Sequence, residues 1–217
     1  MEYTPQAQKE IALFFTRYPQ WAPFKDGILA ALNELIFCYQ RGGKVLLCGN
    51  GGSAADCEHI VGELMKGFKK LRPLQGEKQI ALKTLYPDSY QEILSQLQDG
   101  LPAISLVSHS ALMTAFLNDV DPDYIYAQQV TGYGKKGDLL LGISTSGNAR
   151  NVNNAIKVAK AFGMVTVGLT GKTGGEMKKL CDITVVAPAQ ETFSVQELHL
   201  PLYHMLCAAC EAQFFDK

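Results

Sequence analysis

The stretch KVLLCGNGGS, residues 44–53, decides the fold class. Its short apolar run stops at a glycine-rich turn, and a helical pattern of apolar residues begins after that turn. This order is typical of a parallel β-strand that passes directly into an α-helix. The stretch therefore predicts an α/β protein.

The same order of residues returns further along the chain. Residues 137–143, 164–169 and 182–187 form apolar runs, and the first two runs end at turns rich in glycine, serine and threonine. Another apolar run at residues 102–106 adds a fifth strand. Strands that alternate with helices predict a parallel sheet covered on both faces. We therefore expect a three-layer αβα sandwich around a five-stranded parallel sheet.

Helices are expected at both ends of the chain. Residues 1–41 are predicted to be helical, and the last segment, Phe193 to Phe215, reads as one long apolar helix. No linker rich in proline, glycine or serine divides the chain, so residues 1–217 are expected to form one domain. The helix after residue 148 is predicted to bury one face, made of Val152, Ala155, Ile156, Ala159 and Phe162.

Composition excludes several classes of protein. The 217 residues are 47% hydrophobic, and 20 Lys and Arg stand against 21 Asp and Glu. A near-zero net charge argues against a nucleic-acid partner, because such partners usually require a basic excess. No apolar run is long enough for a membrane span, and residues 1–8 do not resemble a secretory signal. We expect a cytoplasmic protein.

The six cysteines do not form a disulfide framework in a chain of this length. Most of them have apolar neighbours, which is typical of buried free thiols in a reducing compartment. Cys207 and Cys210 form a C-x-x-C pair in the middle of the predicted last helix. Without a second such pair, a structural role is favoured over a metal or redox site.

Residues 71–100 fit the alternation of strands and helices poorly. This segment is a long connection between a helix and a strand, with an amphipathic piece after Asp88 and Ser89, either of which could cap a helix. It is expected to cover the site or to contact another subunit. A surface feature without function is an equally good interpretation.

Two loops have the composition that anion binding requires. In residues 49–53 the glycines allow close approach of the backbone, and Ser53 could cap the following helix. Residues 144–148 add three hydroxyl side chains beside a second helix start. Neither loop is a dinucleotide fingerprint or a P-loop. One such turn alone is more often a simple helix cap, but two at the carboxyl ends of parallel strands favour a phosphorylated small molecule. Residues 170–175 could form a third such turn, but a mobile connection at the edge of the sheet is the favoured interpretation.

Histidines and carboxamide or carboxylate residues recur on two predicted helices. His59 and Glu63 are one helical turn apart, a spacing that suits two ligands of one ion, an acid–base pair or an exposed contact. Gln196 and His204 are eight residues apart, about 12 Å along a helix. Bonds to a metal ion are only about 2.1 Å long, so these two side chains of one straight helix cannot both bind the same ion. We hypothesise that both would come to one ion only from different copies of the chain.

The sequence resembles the sugar isomerase (SIS) domain family, and within it the enzymes that isomerise sedoheptulose 7-phosphate. The resemblance covers most of the chain from Lys44 onward, apart from residues 71–100. The matching segments are VLLCGNGGSAADCEHIVGEL, LND, GDLLLGISTSGNARNV, VGLTGKTGGEMKKLCDI and QELHLPLYH. It implies a phosphorylated sugar as substrate, an aldose–ketose isomerisation through an enediol, and a homotetramer with sites between subunits.

The resemblance also implies roles for individual residues. It implies one zinc ion per site, Glu63 as the catalytic base and His204 as the catalytic acid. The zinc ligands would be His59, Glu63, Gln196 and His204. The substrate-binding residues would be Asn50, Gly51, Gly52, Ser53, Glu63, Asn118, Asp119, Ser144, Thr145, Ser146 and Gln196.

Three residues depart from the family pattern near phosphate or sugar recognition. Ala149 stands where the family has a hydroxyl residue, and Phe193 stands where it has an acidic residue. Gly67 stands where the family has a basic residue, although Lys66 and Lys69 are nearby. These departures keep open an isomerase of another sugar phosphate. A non-catalytic tetrameric SIS protein that binds a sugar phosphate or a replication initiator is a further alternative, although the complete ligand set argues against it.

Overall fold

The computed structural model describes residues 1–216, and it contains one five-stranded parallel sheet with the strand order β2-β1-β3-β4-β5. The predicted sheet and its flanking helices are thus confirmed. The strands are β1 Val45–Gly49, β2 Ala103–Ser105, β3 Leu139–Ser144, β4 Val165–Thr170 and β5 Ile183–Val186.

Ten α-helices surround this sheet within residues 1–216. The long last helix begins and ends within one residue of the predicted bounds. Two short 3₁₀ segments, Pro19–Phe24 and Pro122–Tyr124, interrupt the helical regions. The helices are α1 Pro5–Arg17, α2 Lys25–Gln40, α3 Gly52–Met65, α4 Glu77–Leu85, α5 Tyr90–Gln96, α6 Ser110–Asp119, α7 Ile125–Tyr133, α8 Arg150–Ala161, α9 Met177–Leu180 and α10 Thr192–Phe215.

Two apolar cores lie on opposite faces of the sheet. Successive residues of β1 point to opposite faces, so Leu47 belongs to the core under α1, α2, α3 and α10, whereas Leu46 belongs to the core under α7 and α8. The prediction that Phe162 belongs to the apolar face of α8 was wrong. It lies beyond the last residue of the helix and is 43% exposed, while the other four residues are buried.

Most of the cysteines are buried free thiols, as predicted. All six are unpaired, and five of them, including Cys207 and Cys210, are buried. Burial raises the pKa of the Cys38 thiol and of the Cys181 thiol to about 12. These thiols are therefore protonated and unreactive at neutral pH. Within residues 1–216, no helix combines the length and the apolar character that crossing a membrane requires.

The two ends of the segment 71–100 lie next to each other on the domain. Pro73 and Gln98 form an isolated antiparallel bridge, and Asp99 N donates to the Arg72 carbonyl oxygen at 2.6 Å. Between these points, α4 and α5 contain no buried residue, and Ile80 and Leu85 are exposed, as is Leu71 just before the bridge. Ser89 lies at the cap of α5 but makes no capping hydrogen bond with its side chain.

Replacement of residues 74–97 by Asn-Gly is expected to leave the sheet folded. The bridge brings the two ends together, and the removed helices bury no side chain in the monomer. We expect an unfolding midpoint within a few degrees of the parent value, with a lower oligomeric mass if these helices join subunits. Thermal unfolding and sedimentation would measure the two effects. Loss of the folded monomer would show instead that α4 and α5 support the sheet.

His199 makes stability depend on pH. It is fully buried on α10, where its Nε2–H donates to the Thr170 carbonyl oxygen at 3.1 Å, and burial lowers its pKa to about 4. In the unfolded chain the pKa is about 6.5. The folded state therefore binds fewer protons, so its stability is complete above about pH 6.5 and falls as the pH drops toward 4.

The expected loss is about 3 kcal/mol across this interval, since one pKa unit corresponds to about 1.4 kcal/mol. Urea unfolding at several pH values would measure it. His199→Gln is expected to flatten this part of the profile. An unchanged slope in that variant would assign the acid sensitivity to other groups.

Candidate functional site

The two predicted anion-binding loops lie side by side at one edge of the sheet. Residues 50–51 connect β1 to α3, and residues 145–149 connect β3 to α8. The strands β1 and β3 are direct neighbours, so both loops emerge at the same carboxyl edge. In open α/β sheets, this edge is where ligands bind.

The first loop turns sharply into α3. Gly51 has φ of +56° and takes the cap position, and Gly52 is the first residue of the helix. Ser53 is therefore not the cap that the sequence suggested; its buried side chain lies one residue inside the helix. The prediction was wrong because glycine adopts the positive φ that this turn requires. Ser53 N and Ala54 N donate to the Asn50 and Gly51 carbonyl oxygens at 3.1 and 3.0 Å, so the Gly52 N–H is the group at the start of α3 that a ligand could use.

The second loop is braced by the connection that follows β4. Gly147 has φ of +69° and lies so close to the Gly174 carbonyl that a Cβ atom would overlap it. Met177 N donates to the Gly147 carbonyl oxygen at 3.0 Å, and Glu176 N donates to Asn148 Oδ1 at 3.0 Å. The segment 170–176 thus fixes the shape of the serine-rich loop from behind.

Three of the four residues implied as zinc ligands lie together where α3 packs on α10. His59 Nε2 is 3.2 Å from Glu63 Oε1, and the rings of His59 and His204 are 5.0 Å apart and nearly perpendicular. His59 Nδ1 lies 3.0 Å from the Tyr203 hydroxyl group, which donates to Asp56 Oδ1 at 3.3 Å. Sequence reasoning missed Tyr203 and Asp56. Asp56 is one turn before His59, which is a usable signal in retrospect.

His204 presents an unpaired nitrogen in this cluster. Its Nε2 atom is buried and has no hydrogen-bond partner within the described chain. Burial lowers the pKa of His204, the nearby His59 lowers it further, and Glu63 opposes both effects. A buried imidazole nitrogen without a partner is costly, so a ligand at this position would relieve the cost.

Gln196 lies apart from the other three residues. Its amide packs against Gly52 at the start of α3, where a Cβ atom would overlap Gln196 Nε2. His204 lies about 12 Å further along the same helix. Within residues 1–216 of one copy, no group of three or more His, Cys, Asp or Glu side chains is arranged to hold a metal ion.

The donor types nevertheless fit zinc. Two imidazole nitrogens, a carboxylate oxygen and an amide oxygen are suitable hard and borderline ligands. The orphaned His204 Nε2 is the structural observation that supports a ligand there. His59 fits as well, because its Nδ1 contact with Tyr203 leaves Nε2 as the nitrogen that faces the cluster.

Asn118 and Asp119 are not brought to the cluster within one copy. Both are exposed at the end of α6, where Asn118 Nδ2 donates to Asp119 Oδ1 at 2.8 Å. In residues 1–216, no hydrogen bond joins either side chain to the two loops. Their predicted role in substrate binding remains a prediction.

A cavity of about 360 Å³ opens beside His204, between α1, α10 and the segment after α3. Lys69 Nζ lies 2.6 Å from Glu10 Oε1 on its wall, and Arg17 and Tyr18 also line it. Lys69 and His204 thus line the same cavity, and the Lys69 charge is paired with Glu10. Gly67 has no room for a side chain, since a Cβ atom would overlap the Lys70 carbonyl oxygen.

Known proteins share this architecture and sequence. The SIS domain profile matches residues 103–209, and a second SIS domain profile matches residues 22–98. Phosphoheptose isomerase of Aneurinibacillus thermoaerophilus is 38% identical over 182 residues, which cover 84% of this chain and 79% of that relative. Phosphoheptose isomerase of Aliarcobacter butzleri (strain RM4018) is 42% identical over 168 residues, which cover 77% of this chain and 75% of that relative.

The fold comparison agrees with the sequence comparison. The structure of phosphoheptose isomerase GmhA from Neisseria gonorrhoeae superposes with a TM-score of 0.72 at 28% identity, covering 94% of this chain and 98% of that one. Similarity of this extent in both sequence and fold shows that the chain belongs to the SIS domain family, in the group of sequences that contains the phosphoheptose isomerases.

Proposed function

We propose that the protein is a phosphosugar isomerase that interconverts sedoheptulose 7-phosphate and D-glycero-D-manno-heptose 7-phosphate. One observation carries the proposal: the His59–Glu63–His204 cluster lies on the helix that begins at the first anion-binding loop and on the helix packed against it. Relatives named phosphoheptose isomerase, at 38–42% identity, supply the substrate class.

The loops would hold the phosphate and the sugar chain. Helix N-termini and hydroxyl groups favour a dianion, and the ends of β1 and β3 offer both within one edge of the sheet. Ser144, Thr145 and Ser146 would bond the phosphate oxygens. Glu63 lies about 16 Å along α3 from Gly52, farther than an extended heptose phosphate reaches, so the Glu63 that meets the reacting end of the sugar would belong to a neighbouring copy.

The cluster would move the protons of the reaction. In the ketose-to-aldose direction, the Glu63 carboxylate takes a proton from C1 while His204 donates a proton to the carbonyl oxygen on C2, which gives an enediol. Glu63 then returns its proton to C2, and His204 takes the hydroxyl proton from the oxygen on C1. No atom is gained or lost, and both side chains end as they began.

His59, Glu63, Gln196 and His204 would hold one zinc ion per site. When bound, zinc would supply a Lewis acid that polarises the carbonyl group. Because Gln196 lies about 12 Å along α10 from His204, we propose that it reaches the site from a neighbouring copy. The protein would then be a cytoplasmic homotetramer with sites between subunits.

Isomerisation of sedoheptulose 7-phosphate by the purified protein, with and without added zinc, tests this proposal. We expect turnover that depends on zinc. No turnover in a zinc-loaded tetramer would reject this substrate. A protein that neither turns over the substrate nor binds zinc would be the non-catalytic relative considered above.

A second candidate, an isomerase of another sugar phosphate, is favoured by three positions. Ala149 caps α8 without a hydroxyl group, Phe193 is 63% exposed one turn before Gln196, and Gly67 has no room for a side chain. A panel of pentose, hexose and heptose phosphates distinguishes the candidates by their kcat/KM values.

A further inference from the structure

Two asparagine side chains join the first anion-binding loop to the helix that follows the second loop. Asn50 Nδ2 donates to Asn151 Oδ1 at 2.9 Å, and Asn151 Nδ2 donates to Asn50 Oδ1 at 2.9 Å. Asn50 follows β1, whereas Asn151 lies in the first turn of α8, 101 residues later. We call this reciprocal pair the amide clasp.

Further contacts hold each half of the amide clasp in place. The buried Tyr126 hydroxyl group donates to the Gly49 carbonyl oxygen at 2.6 Å and lies 3.2 Å from Asn50 Oδ1. On the other side, Val152 N donates to Asn151 Oδ1 at 2.9 Å. The end of β1 and the start of α8 are therefore tied to one another and to α7.

The clasp engages the Asn50 carbonyl oxygen and one N–H of its amide group, and it leaves the second N–H unused. Its amide group donates to Asn151, and its carbonyl oxygen accepts from Asn151 and faces the Tyr126 hydroxyl group. Rotation of the Asn50 amide group toward a ligand would break these hydrogen bonds. The arrangement suits a brace between two helix N-termini, whose separation decides whether both can bond one anion.

We infer that Asn151 is a positioning residue for anion binding, and that the Asn50 side chain acts with it rather than on the ligand. The ligand is a phosphoryl group, bound by the N-termini of α3 and α8. This inference rests on the proposed function, because it assigns the two loops to the phosphate of the substrate.

A double-mutant cycle tests the inference with inorganic phosphate as the probe. Asn50→Ala, Asn151→Ala and the double variant are titrated with phosphate by calorimetry, and their thermal unfolding is followed in parallel. Each variant loses the whole clasp. We therefore expect all three to bind phosphate equally weakly, about tenfold below the parent protein, because two hydrogen bonds are lost in each case.

Other results would overturn the inference. A large loss of phosphate affinity in Asn50→Ala, with parent-like affinity in Asn151→Ala, would mean that Asn50 bonds the anion itself. Losses of affinity that add up in the double variant would mean that the two residues make independent contacts. Unchanged phosphate affinity in all variants, with only a lower unfolding midpoint, would leave the clasp a purely structural element. The absence of phosphate binding by the parent protein would also reject it.

Asn154→Ala is the matched control. Asn154 is on the same helix, but its side chain bonds the Asp123 carbonyl oxygen instead of a loop. We expect its phosphate affinity to equal that of the parent. The readout is independent of turnover: the cycle pattern without isomerisation of sedoheptulose 7-phosphate would retain the clasp and reject the proposed substrate.

Discussion

His204→Ala is expected to lower the kcat for isomerisation of sedoheptulose 7-phosphate by about 10²- to 10⁴-fold, the usual contribution of a general acid–base group. The Nε2 atom of His204 is buried and has no hydrogen-bond partner in the described chain, so it is free to bond a reacting oxygen or a metal ion. Alanine removes it without altering the two loops. Initial rates would measure kcat, and bound zinc would be measured on the same samples.

The phosphate affinity of His204→Ala shows whether the substitution affects only the cluster or the whole protein. The loops lie at the other end of α3 from His204, so the variant should bind inorganic phosphate as tightly as the parent. His109→Ala serves as the matched control, because His109 packs on Tyr133 at the start of α6, outside the cluster. Parent-like turnover in His204→Ala would remove this residue from the mechanism.

Arg72→Met is expected to cost about 3–5 kcal/mol of the free energy of unfolding, because it leaves a buried carboxylate without its partner. Arg72 Nε donates to Glu211 Oε1 at 2.8 Å, and both side chains are almost completely buried. The Arg72 guanidinium also donates to the carbonyl oxygens of Leu64 and Glu63 at 2.7 and 3.1 Å. The residue thus holds the end of α3 against α10. Urea unfolding would measure the loss.

Two further variants make this prediction specific. Arg72→Met combined with Glu211→Gln removes both charges but turns an amide N–H group toward Phe68 N or Lys69 N, which donate to the two carboxylate oxygens at 2.8 Å, so we expect it to recover only part of the stability. Lys179→Ala breaks the exposed pair with Glu176 and should cost less than about 1 kcal/mol. Similar losses in Arg72→Met and Lys179→Ala would contradict the role assigned to the buried pair.

The site illustrates where reading the sequence succeeds and where it fails. His59 and Glu63 were found because a four-residue spacing on a helix places two side chains on one face. Ser53 was misplaced as a cap because serine is common at caps, whereas the turn after β1 requires the positive φ that Gly51 adopts. Phe162 was wrongly assigned to α8 because its apolar spacing continues that of the helix, whereas the helix ends at Ala161.

By itself, the sequence determined the strands, the long helices and the two loops. These features depend on the order of apolar and turn residues within short segments, and that order is local information. Only the tertiary structure decided which distant side chains meet: Asn50 with Asn151, Tyr203 with His59, and Arg72 with Glu211. Such pairs are created by the packing of one element on another. Their geometry depends on the whole fold, and no spacing within a single segment encodes it.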